Sequence, residues 1–140
     1  MQISTKIEYA VRGLVVLSVE NDGKPTPLKE VCRVQNLPMK YMEHIFNSLR
    51  KAGLISSLRG AYGGYSLVRP LEQISLWDVM ESLGEVPIDL NCNEEVAQRE
   101  YCIGFPCNFF DTWLEIADEV RLFFVGISLS RFSQNKEEEK

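Results

Sequence analysis

Two short helix-forming stretches broken by Asn36, Leu37 and Pro38, followed by the segment Arg59-Gly60-Ala61-Tyr62-Gly63-Gly64, limit what this chain can fold into more than anything else in it. Pro38 lacks a backbone donor and has a fixed φ, so it closes one helix and can open another. Before it, residues 26–35 read as a short helix, with Thr26 as N-cap and Pro27 in the first helical position. After it, Met42, Ile45, Phe46 and Leu49 recur at helical spacing, and Gly53 suits a left-handed cap. The opposite face then carries Lys40, Tyr41, Glu43, His44, Asn47 and Lys51. Strand candidates at 54–58 and 65–68 flank the glycines, which supply the positive φ that a hairpin turn requires. Helix, tight turn, helix and hairpin form a winged helix-turn-helix. Its second helix lies in the major groove of duplex DNA, and its hairpin is a wing. Arg59, with Tyr62 beyond it on the wing, is placed to reach a narrow minor groove. Glu43 can accept from a cytosine amino group, and Arg50 and Lys51 are candidates for phosphate contacts.

The overall charge of −5 seems to oppose such a partner. Its distribution does not. Residues 1–70 hold ten Lys/Arg against five Asp/Glu, and residues 71–140 hold five against fifteen. Exposed charges interact mainly within about 8 Å at physiological salt, so a basic first half can meet phosphates while the acidic half points elsewhere.

The rest of the chain reads as mainly α. Thr5 and Glu8 match a capping box for a first helix over 6–20, so apolar on several sides that it must be enclosed, in part by a partner chain. Ser75 and Asp78 match another, for a helix that closes at Gly84. Asn108 can cap a long final helix whose apolar stripe is Phe109, Trp113, Ile116, Ala117, Val120, Phe123, Phe124 and Ile127, with 128–132 as a continuation. The expected organisation is a DNA-binding domain over 1–84, a cysteine-bearing loop over 85–107, a dimerisation helix over 108–132 and a disordered tail over 133–140. No apolar run reaches the roughly 20 residues of a bilayer span, and the first residues lack a secretory layout, so a cytoplasmic protein is expected.

Cys92, Cys102 and Cys107 fall within sixteen residues of an aperiodic stretch. In a reducing compartment, thiols so grouped point to soft-metal ligation, above all an iron–sulfur cluster. Zinc fits less well, because the paired C-x2-4-C units of its structural sites are missing. Three unligated thiols, or a redox disulfide, stay open on spacing alone. Cys32, inside a helix, reads as a small buried apolar residue. Glu8 has two readings: the partner of a capping box, or an oxygen ligand donated across a dimer. No Ser-His-Asp set, phosphate loop or HExxH helix is present, so an enzyme is not expected.

These residues together resemble a known family. The opening Met1-Gln2-Ile3-Ser4, then Tyr9-Ala10-Val11-Arg12, Leu49 to Ile55, the wing Arg59-Gly60 with Gly63-Gly64-Tyr65-Ser66-Leu67, and the late cysteines are similar to the Rrf2 family of winged-helix regulators over about residues 1–132. The resemblance implies a homodimer on a palindromic operator of double-stranded DNA, and the expected role is that of a transcription regulator, a repressor. Its long final helices would cross, and a cluster would be held by Cys92, Cys102 and Cys107. NsrR-like members imply that an acidic residue at the position of Glu8, from the other chain, completes a [4Fe-4S] rather than a [2Fe-2S] cluster. The IscR type has a histidine two residues after its third cysteine; here that residue is Phe109. Some members carry no cluster. The alternative expectation is therefore a cluster-free regulator, or an interaction module whose second half docks a partner enzyme.

Overall fold

In the computed structural model, residues 2–19, 24–88 and 109–134 are described. Helix α1 (Thr5–Val19) is enclosed, as its apolar circumference requires: Ala10, Leu14 and Val16 are fully buried, and Ile7, Val11, Val15 and Leu17 nearly so. Around it pack α2 (Leu28–Gln35) and α3 (Met39–Lys51). The closest approach of α3 is at Gly13, where a Cβ would lie 2.6 Å from the Phe46 ring.

The start of α1 differs from the expectation. Ser4, not Thr5, is the N-cap: Ile7 N–H donates to Ser4 Oγ at 3.3 Å, and Glu8 N–H to the Ser4 carbonyl at 3.2 Å. The Ser4 hydroxyl also donates to Glu85, a contact Thr5 does not make. Glu8 then lies one residue too far along to close a capping box. Its carboxylate instead accepts from Arg12 at 3.1 Å, an i,i+4 pair.

Thr26 is likewise not a cap. It is fully buried and bridges to Tyr65, donating its N–H at 2.9 Å and accepting at its carbonyl at 2.8 Å. Two backbone bonds outweigh one cap bond, so Pro27 takes the N-cap position and α2 opens at Leu28. The break between α2 and α3 follows the expectation. Asn36 is left-handed at φ 52, and Leu37 N–H returns to the Cys32 carbonyl at 2.9 Å. Pro38 then precedes α3, whose end is a paired motif: Gly53 N–H to Arg50 at 3.0 Å and Leu54 N–H to Leu49 at 3.1 Å.

Strands β1 (Ile55–Leu58) and β2 (Gly64–Leu67) form an antiparallel hairpin, with Ile55 opposite Leu67 and Leu58 opposite Gly64. β1 starts one residue later than predicted and ends where predicted, and β2 lies one residue earlier than predicted. The reason at β2 is contact: Gly64 has φ +149, and a Cβ there would lie 2.4 Å from the Thr26 carbonyl carbon. Only glycine allows the hairpin to close on Thr26. Phe46 meets the Tyr65 ring edge-on at 5.0 Å, so α3 and the hairpin share one core.

Helix α4 (Leu76–Ser82) has the predicted box: Asp78 N–H donates to Ser75 Oγ at 3.1 Å, and Ser75 N–H to the Asp78 carboxylate at 2.9 Å. Helix α5 (Phe110–Val125) starts beyond Phe109, which has no side-chain cap bond; Asn108 lies outside the described residues. The chain does not run on past Gly126 as one helix. It turns back, with Leu76 N–H donating to Ile127 and Leu129 N–H to Ile74, and buries Leu129. That return leads into α6 (Ser130–Gln134), which packs on α1 and enters the stretch expected to be tail. Among the described residues, no helix is long and apolar enough to cross a membrane.

Candidate nucleic-acid interface

Helix α3 divides as its sequence implies. Met42, Ile45, Phe46 and Leu49 are buried to within 1% of full burial. At about 100° per residue, Lys40, His44, Asn47 and Lys51 fall opposite them, and all four are exposed. Glu43 and Arg50 lie along the edge on the side of Phe46, whose ring meets Tyr65 of β2. Both are exposed, and Arg50 donates to Asn47 Oδ1 at 2.8 Å, which holds the guanidinium over the outer face. Tyr41 and Ser48 lie along the other edge. The Tyr41 ring stands edge-on to Tyr9 at 5.8 Å, so it is steadied by α1 rather than projecting freely.

The wing extends from this core. Gly63 N–H returns to the Gly60 carbonyl at 3.0 Å and closes the turn. Arg59 is exposed at its base, and Tyr62 is 92% exposed at its tip. Among the described residues, Lys40, Lys51 and Arg59 form no ion pair, whereas Lys6, Arg12, Arg33, Arg69 and Arg121 do. Cations of α3 and the hairpin without an ionic partner are available to neutralise phosphates.

The expected ligand set is only partly visible. Cys92, Cys102 and Cys107 lie outside the described residues. Among the described residues no three His, Cys, Asp or Glu side chains group to hold a metal. Glu8 is exposed on α1, at the rim of an apolar groove of about 370 Å³ formed by Ile3, Ile7, Val11, Val15, Leu76 and Phe132. One of its oxygens accepts from Arg12; the other accepts no hydrogen bond among the described residues. A carboxylate so placed fits the role of an outward-facing oxygen donor. Cys32 is buried in the core, and burial, helped by the negative charge of Glu43, pushes its thiol above the ordinary range. That matches its reading as a packing residue.

Comparison with known proteins agrees with this architecture. Residues 3–135 match the Rrf2 family, described as iron-dependent transcriptional regulators. The transcriptional regulator IscR of Pectobacterium carotovorum is 30% identical over 138 residues, spanning 98% of this chain and 82% of that protein. The transcriptional regulator CymR of Bacillus subtilis is 35% identical over 123 residues, spanning 86% and 81%. The solved structure of that CymR, the global cysteine regulator, superposes with a TM-score of 0.68 at 31% identity, covering 96% of this chain and 98% of that one. The relatives are regulators and not enzymes. This chain, with its winged helix-turn-helix, belongs to the Rrf2 family of transcriptional regulators.

Proposed function

We propose that the chain is a cytoplasmic, homodimeric repressor that binds a palindromic operator and whose affinity is switched by an iron–sulfur cluster. The observation that carries the DNA reading is the exposure of Lys40 and Lys51 on the outer face of α3 and of Arg59 at the base of the wing, none of them in an ion pair among the described residues. In this reading Lys40, Tyr41, Glu43 and His44 face base edges, Arg50 and Lys51 face phosphates, and Arg59 with Tyr62 enters the adjoining minor groove.

The switch rests on donor chemistry. Cys92, Cys102 and Cys107 of one chain would supply three thiolates, and Glu8 of the partner subunit one oxygen, a set suited to a [4Fe-4S] cluster. Such a group, when bound, supplies a centre sensitive to oxygen, nitric oxide and iron supply. Glu8 would be the weakest donor of such a set, a hard oxygen among soft thiolates. Arg12, bonded to the Glu8 carboxylate, orients it. The cysteine stretch follows α4 in sequence and Glu8 lies in α1, so a group held by both would link the two chains and bear on the spacing of their wings.

A second reading is favoured by the likeness to CymR, the global cysteine regulator: a cluster-free regulator, with its second half as a docking module. Anaerobic purification with absorption spectroscopy and iron analysis separates the two. The cluster reading expects a coloured protein with about four irons per chain. It also expects a colourless Cys102→Ala variant whose affinity for an operator selected from random duplexes changes at least about tenfold, the size of a typical coupling energy. A colourless, iron-free protein that binds the same operator equally with and without air supports the cluster-free reading instead.

A further inference from the structure

We infer that Lys6 and His44 form a seat for a DNA backbone phosphate on the side of α3 away from the wing. The inference rests on the DNA-binding reading above and adds Lys6, a residue of α1, to the interface. A cleft of about 320 Å³ separates the first turn of α1 from α3, lined by Lys6, Tyr41, His44, Ile45, Ser48 and Leu83. Ile45, 1% exposed, forms its floor, and Tyr41, braced on Tyr9, forms a wall. Its polar lining is the Lys6 ammonium, the His44 imidazole, the Tyr41 phenol and Ser48, whose hydroxyl donates to the His44 carbonyl at 3.2 Å. No lining residue is acidic.

Lys6 is held loosely. Its one ionic partner among the described residues is Glu85 at 3.8 Å, beyond hydrogen-bond reach, and Glu85 already accepts from the Ser4 hydroxyl. The Lys6 ammonium is therefore free to turn to a stronger anion. Geometry supplies one. A helix with its side chains is about 10–12 Å across, and the major groove is about 12 Å wide. A helix seated there meets a phosphate ridge on each flank. The flank of α3 beside Phe46 and Tyr65 belongs to the wing, and the opposite flank, with Tyr41 and Ser48, belongs to this cleft. The wing reaches one strand, and Lys6 reaches the other.

Salt-dependent binding tests this. A lysine on a phosphate contributes about 0.9 to the slope of log affinity against log salt and does not discriminate sequence. Lys6→Ala is expected to lower that slope by about one, and to weaken a selected operator and a scrambled duplex by the same factor, about three- to tenfold at low salt. Lys6→Arg should restore both. Arg121→Ala, on α5 and paired with Asp118, should leave the slope unchanged. An unchanged slope in Lys6→Ala, or a loss confined to the selected operator, overturns the seat. A wild-type protein that binds no duplex at any salt concentration would sink the DNA-binding reading instead.

Discussion

At the scale of single residues, the sharpest constraint is at Gly64. Its φ of +149 is closed to other residues, and an added methyl would collide with the Thr26 backbone at 2.4 Å, where nothing flexible can yield. Gly64→Ala is expected to cost about 3 kcal/mol in denaturant unfolding, the upper range for a single strained substitution. A loss below about 0.5 kcal/mol would mean that the hairpin does not depend on this contact. That a glycine is needed here was legible, because a run of glycines between strand candidates marks a turn. Its contact with Thr26 was not, because Thr26 lies thirty-eight residues earlier in the chain. Glu8 shows the same limit. Its chemistry could be read from the sequence, but a shift of one residue in the helix start decided that it pairs with Arg12 and not with a cap.

At the scale of elements, caps separate local from tertiary control. Ser75 and Asp78 satisfy one another within a single turn, so the box was legible and is present. Ser4 and Thr5 are both competent caps by chemistry, and the structure uses Ser4. Ser4→Ala is therefore expected to destabilise by about 1 kcal/mol, and Thr5→Ala by much less. Thermal unfolding of both variants decides this, and the reverse order would place the helix start at Thr5. The buried face of α3 needed no tertiary knowledge, since four apolar residues at helical spacing name their own side.

At the scale of the whole molecule, α5 stands out. Only Phe124 of that helix is buried, while Trp113 is 49%, Ile116 38% and Phe123 64% exposed. Within α5, Trp113, Ile116 and Phe123 fall on one helical stripe that this chain leaves exposed, the kind of surface a helix offers to another helix. The partner that fits a homodimeric regulator is a second α5. Sedimentation equilibrium should show a dimer, and Phe123→Glu should give a monomer with an unchanged circular dichroism spectrum, since Phe123 is outside the monomer core. Monomeric wild-type protein at micromolar concentration would contradict this.

Periodicity and turn chemistry act within a few residues, so sequence alone determined the helices, the break at Pro38, the hairpin and which face of α3 is left exposed. The tertiary structure decided what depends on distant segments meeting. It drew Thr26 into the sheet, tied Ser4 to Glu85, folded the chain back after Gly126 onto residues 74–76 and set Lys6 beside α3. At Thr26 and after Gly126, two backbone hydrogen bonds from remote parts of the chain outcompeted one local preference. A local preference is worth about 1 kcal/mol, little enough for packing to overrule.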